Sequence, residues 1–256
     1  MSFFEHIDEL RARVMRMLYA FVIGFGGGYY ASEPVMGWLR APLFAVLPPE
    51  KQNLYFTSLF ENFFTHLKIA GYLSVFIFSP YFFYELWQFI APGLREREKK
   101  MVVPFISAAT FFFIGGALFA YYVLFPVGFK FFVTYGGPAD VPMLTIDSYY
   151  STCLKLMMLF GVGFELPVFI VLMGALGLVD STVLKAHRKT AVIGITIVSA
   201  LFAPPDAVSM LILMAPLIIM YEGSIWVVHA MGRKRKVATQ AVEKPKNPMH
   251  DNKSDY

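Results

Sequence analysis

Apolar residues fall in six runs, at about 14–31, 63–91, 102–125, 149–178, 190–204 and 207–229, separated by polar stretches or by Pro and Gly. A helix rising 1.5 Å per residue needs about 20 apolar residues to cross a bilayer, and most of these runs reach that length. The pattern predicts an all-α fold, an integral membrane bundle of six transmembrane helices, concave on one side, with short fifth and sixth spans. Only Ala203–Asp206 separates those last two runs. The fifth holds about 15 apolar residues and would reach roughly 22 Å, less than the roughly 30 Å hydrocarbon core. Either the bilayer thins around this hairpin or the hairpin stops short of the outer surface.

An even number of spans puts both termini on one side, and charge identifies that side. The N-terminal segment, the 91–101 and 179–189 loops and the C-terminal tail hold 17 of the 22 Lys and Arg residues, so both termini are expected to be cytoplasmic. Lys68 and Lys155 fall near outer helix ends, where their long stems can carry the ammonium groups back to the interface. The 32–61 and 126–147 stretches lie on the far side and remain rich in Phe, Leu, Pro and Met, which predicts an ordered cap hugging the interface. Two units follow: a membrane domain over 1–231, and a polar, basic tail over 232–256 that is expected to be disordered.

Composition agrees with the membrane reading. Of 256 residues, 57% are hydrophobic and 16% charged, and the mean hydropathy is +0.57. The single cysteine, Cys153, excludes internal disulfides and cysteine-rich metal sites, leaving a small apolar role. Acidic residues precede the first apolar run and no small-residue cleavage site follows it, so that run is expected to stay in the mature protein.

Glu165 interrupts the apolar stretch LKLMMLFGVGFELPVFIVLMGALGL, Leu154 to Leu178. It lies roughly 22–27 Å along a helix from Asp147 and Asp180, near the bilayer midplane. An ionisable group there costs about 2.5–3.5 kcal/mol on insertion scales, and it should face a bundle interior or wet cavity and mark function. A hydrogen-bonded glutamate serving only helix packing is the plainer alternative. Pro167, two residues on, could break the helix.

The remaining chemistry collects at the cytoplasmic face. In the opening SFFEHIDELRARV, Ser2 and Glu5 form a capping-box pattern, so the chain enters the membrane as a helix. Glu5, Asp8 and Glu9 share one helical face, with Arg13 a turn beyond Glu9. Surface ion pairing alone would also explain them. A second cluster, APGLREREKK, sets Glu96 and Glu98 just before the third span, where the helix dipole favours carboxylates in any case.

Taken together these residues resemble the TatC family, the multi-spanning receptor subunits of twin-arginine protein translocases. The resemblance rests on HIDELRAR from His6 to Arg13, FIAPGL from Phe89 to Leu94 with the acidic and basic residues after it, GVGFELP at 161–167, APPD at 203–206 and YE at 221–222. It covers about residues 2–231. It implies a receptor for signal peptides carrying consecutive arginines, and a core subunit of a translocase that exports folded proteins across the cytoplasmic (inner) membrane using the proton gradient. It places the family's recognition glutamate on Glu98. Two guanidiniums need two separated carboxylates, and Glu9 and Glu98 fit that demand, with Arg13 and Glu96 beside them. A two-residue shift in the loop would exchange the roles of Glu96 and Glu98. Phe89 and Leu94 could line the peptide's path, or simply anchor the interface. Glu165 and Pro167 would then contact an inserted signal or a partner helix, and Asp206 would belong to a functional outer loop. Implied partners are TatB-like and TatA-like single-span subunits, the signal peptides of folded cargo, the lipid bilayer and further copies of the chain. No nucleic acid is implied. One departure is Glu85 in FYELWQF, where the family more often carries a neutral glutamine; it could assist recognition or pair with a loop arginine.

The competing class is an ion-coupled small-molecule transporter, suggested by Glu165 and a possible broken helix at Pro167. No internal repeat supports it. An enzyme is not expected: there is no HExxH, GxSxG or GxxxxGK[ST] pattern, and the five histidines do not fall at zinc-ligand spacing. No cofactor or metal is implied.

Overall fold

A computed structural model describes residues 3–90, 102–135, 143–202 and 207–243. These residues form helices α1 (Phe3–Tyr30), α2 (Ser32–Phe44), α3 (Glu61–Ile90), α4 (Val102–Phe119), α5 (Phe125–Tyr135), α6 (Ile146–Gly163), α7 (Glu165–Ala175), α8 (Ser181–Ala186), α9 (Arg188–Phe202) and α10 (Ala207–Glu243). A five-residue π-helical stretch, Ala120–Leu124, joins α4 to α5 in one rod. The only strand-like pairing among the described residues is a bridge between Tyr55 and Thr145.

Four segments are long and apolar enough to cross a membrane: Glu61–Phe89, Val102–Thr134, Ile146–Ala175 and Met210–Gly232. The apolar run of α1 is diluted by glycines and tyrosines, and α9 has 15 residues. The fifth run is therefore short, as expected. The sixth is not: its 23-residue apolar stretch spans roughly 34 Å, a full hydrocarbon core. Helical backbone also continues past Gly232 through Glu243, where Lys, Arg, Ala, Gln and Glu favour helix.

The most extensive seam among the described residues joins α1 to α3. Gly24 and Gly28, four apart on one face of α1, oppose Ala70 and Ser74, four apart on α3. A Cβ at Gly28 would lie 2.7 Å from the Ala70 carbonyl oxygen, and one at Gly24 would lie 2.4 Å from Ser74 Oγ. This is a small-residue contact of the kind that lets membrane helices approach closely. Ser74 Oγ then donates across it to the Phe21 carbonyl at 2.7 Å.

Two prolines inside helices, Pro42 and Pro80, leave carbonyls without donors, and nearby hydroxyls supply them. Pro42 cannot bond the Trp38 carbonyl, and Tyr121 OH donates to it at 2.8 Å while its ring stacks on the Trp38 indole. Pro80 leaves the Phe76 carbonyl, and Ser79 Oγ donates to it at 2.8 Å. The hydroxyls of Tyr149 and Tyr150 donate to Leu39 and Met36. The outer cap expected over 32–61 thus contains an ordered helix, α2, whose Met36, Leu39 and Leu43 are buried in the main core.

A second clasp ties the start of α3 to the start of α6. Glu61 accepts from the backbone N–H of Asp147 (2.8 Å) and of Thr57 (2.6 Å), and Tyr55 exchanges backbone bonds with Leu144 and Ile146. Lys68 does not reach for the interface alone: it forms an ion pair with Asp147 and donates to Ser151 at 3.1 Å. A carboxylate on the adjoining helix offers it a partner that the sequence pattern does not reveal.

Gly28→Val should lower stability by about 1–3 kcal/mol, because a side chain there meets α3 backbone that cannot give way. Gly26→Val, which meets nothing within 4 Å, is the matched control. Thermal unfolding of both variants in detergent checks this.

Candidate functional site

Where the first turns of α1 pass the last turns of α3, the α1 pattern meets a partner from α3. Glu9, Arg13 and Arg16 follow one helical face at i, i+4 and i+7, while Tyr81 and Glu85 sit one turn apart on α3. Arg13 Nη2 pairs with Glu9, and Arg13 Nη1 reaches Glu85 Oε2 at 3.4 Å. Arg16 grips the same carboxylate with both ends of its fork, Nε to Oε1 at 2.9 Å and Nη2 to Oε2 at 2.9 Å. Tyr81 OH donates to Oε1 at 3.0 Å. Glu85 is 3% exposed and Arg13 8%. Burying such charges costs several kcal/mol per ion unless pairing is close, so the cluster stands or falls as a unit.

The question left open by Glu85 is partly answered here: its described partners lie on α1, and Arg16, absent from the sequence-level candidates, is the principal one. Two signals point to this arrangement, the i+3 step from Arg13 to Arg16 and the i+4 step from Tyr81 to Glu85. Neither says that the two faces meet. Glu5 and Asp8, on the same helix, are exposed, and Phe89 is half-buried in the last turn of α3. Leu94, Glu96, Glu98 and Asp206 lie outside the described residues.

The second candidate region is the break between α6 and α7. Pro167 has no N–H for the Gly163 carbonyl, and its ring crowds that carbonyl, so the helix ends at Gly163 and restarts at Glu165. Gly163 is pressed against α10, since a Cβ there would lie 2.7 Å from Leu217 Cδ2. Glu165 Oε1 is buried without a hydrogen-bond partner among the described residues, and so are Thr110 Oγ1 on α4 and Ser199 Oγ on α9. Pro167 lines an apolar groove of about 600 Å³ between α4, α7 and α10, walled by Phe105, Val168 and Ile219. The Tyr-Glu pair of the last helix is also accounted for: Tyr221 OH donates to the Leu184 carbonyl at 3.0 Å, and Glu222 accepts from Arg188 at 2.6 Å.

No group of three or more His, Cys, Asp or Glu residues that could hold a metal occurs among the described residues.

Long apolar helices, a charged cluster at one end and a carboxylate within a broken span define a multi-pass, all-helical membrane protein. The family pattern described as "Sec-independent protein translocase protein (TatC)" matches residues 5–216. A TatC from Desulforapulum autotrophicum is 38% identical over 233 residues, covering 91% of this chain and 86% of the relative. One from Campylobacter jejuni is 37% identical over 225 residues, covering 87% and 91%. The crystal structure of the twin-arginine translocase receptor TatC in DDM superimposes with a TM-score of 0.79 at 31% identity, covering 87% of this chain and 98% of that one. The chain belongs to the TatC family of Sec-independent protein translocase proteins.

Glu165→Leu should raise the stability of the isolated chain by about 1–3 kcal/mol, because it removes a buried oxygen that has no donor. Unfolding in detergent measures this, and a drop in stability would mean that Glu165 has a structural partner.

Proposed function

We propose that this chain is the signal-peptide receptor and core subunit of a twin-arginine translocase exporting folded proteins across the cytoplasmic membrane. The observation that carries this reading is that Glu9 already holds a guanidinium, that of Arg13, at the end of the molecule where the 91–101 loop leaves α3. A carboxylate arranged for one arginine suits another, since the fork geometry is the same. Glu9 on α1 and Glu98 on the loop bind the two signal arginines, with Glu96, Phe89 and Leu94 around them. The apolar part of the signal follows the helices into the bilayer. Six helices span the membrane, both termini are cytoplasmic, and Asp206 lies in an outer loop.

Glu165 acts after signal binding. A polar group at membrane depth prefers another polar group to lipid, and its oxygen without a donor beside a helix break supports contact with an inserted signal or with the helix of a TatA-like or TatB-like subunit. Several copies of the chain assemble in the working complex, powered by the proton gradient. The transporter alternative gains nothing from the fold or from the relatives.

In nanodiscs, Glu9→Ala and Glu98→Ala should each weaken binding of a twin-arginine peptide at least roughly tenfold, as expected for a charge-assisted pair, with Asp at either position intermediate. Parent-like binding by both alanine variants would refute the assignment. Glu165→Ala should bind the peptide normally but fail to export cargo. Normal export by that variant would make Glu165 a packing residue.

A further inference from the structure

The cytoplasmic cluster contains two carboxylates and two guanidiniums, and they are shared unequally. Arg13 is divided between Glu9 and Glu85, whereas Arg16 is bonded at both ends to Glu85 alone. The side chains of Glu85 and Arg13 are 4% and 10% exposed, so a peptide cannot reach them, while Glu9 at 22%, with its Oε2 buried, is reached from one side and Arg16 at 50% is open. Any effect of Glu85 on a ligand at Glu9 therefore passes through Arg13.

Arg13 competes with an incoming arginine because it makes the same bond to the same carboxylate. The position it would retreat to is already in place, since its second nitrogen points at Glu85 Oε2 from 3.4 Å, beyond ideal bonding distance. That carboxylate is occupied mainly by Arg16.

We propose that Glu85 is a positioning residue that sets the affinity of the signal-arginine site: it draws Arg13 off Glu9 when a peptide guanidinium arrives, and Arg16 limits how strongly it can do so. The inference rests on the reading of Glu9 as a signal-arginine contact. It gives the extra carboxylate of this chain a role that packing alone does not. Among the described residues the four charges of Glu9, Arg13, Arg16 and Glu85 cancel. Removing Glu85 leaves a net positive charge beside Glu9 and commits Arg13 to it, and removing Arg16 does the reverse.

This account separates cleanly from a structural role. Glu85→Gln and Arg16→Gln break the same bridge between α1 and α3, so a merely structural bridge would move binding in the same direction in both variants. Positioning moves it in opposite directions. With the full chain in nanodiscs and a fluorescent twin-arginine peptide, Glu85→Gln should weaken binding roughly tenfold and Arg16→Gln should tighten it a few-fold. Shifts of the same sign, or no shift in either variant, overturn the proposal. Glu9→Ala runs alongside. If it binds like the parent, the reading of Glu9 fails and takes this inference with it; if it loses binding while Glu85→Gln keeps it, only the inference is overturned.

Discussion

Burying Arg13 and Glu85 where α1 meets α3 removes two charges from water, and only close pairing offsets a penalty of several kcal/mol per ion. That requirement fixes much else. The two helices must approach closely along their length, and Gly24 and Gly28 against Ala70 and Ser74 permit it. They must also keep their register, which the Ser74 to Phe21 hydrogen bond and the two-ended grip of Arg16 on Glu85 enforce. At the N-terminal end of the same α3 helix, Glu61 and Lys68 fasten it to α6. One helix thus carries a restraint at each end, and Glu9, the carboxylate proposed to bind a signal arginine, is held at the C-terminal one.

The break at Glu165 follows a different logic. At Pro42 and Pro80 the orphaned carbonyls find hydroxyl donors, Tyr121 for Trp38 and Ser79 for Phe76, and those helices continue. Pro167 instead coincides with an interruption, and the carboxylate beside it keeps an oxygen without a donor among the described residues. That oxygen supports the proposed contact of Glu165 with a partner's polar group.

Much of this was legible in the sequence because the bilayer imposes length and polarity on each span. The apolar runs, the shortness of the fifth and the place of Glu165 inside a long apolar span all follow from counting residues and charges. The ion pair of Lys68 was not legible because its partner Asp147 is far away in sequence, and the helix past Gly232 was not because the boundary of an apolar run does not mark the end of a helix whose next residues also favour helix. The cytoplasmic cluster was half legible. Glu9 and Arg13 fall four apart on one helix, so their pairing can be read directly. Arg16 and Glu85 are 69 residues apart, and only the folded seam brings them together.

In the proposed mode of binding, the Glu9 carboxylate exchanges one guanidinium for another. Solid-state NMR on the bilayer-embedded chain, with labelled guanidinium carbons in the peptide arginines and, in separate samples, in Arg13, measures that exchange directly. The account predicts a peptide guanidinium within about 4 Å of Glu9 in the bound state, with Arg13 moved onto Glu85. Arg13 remaining on Glu9 while the peptide binds elsewhere would contradict it.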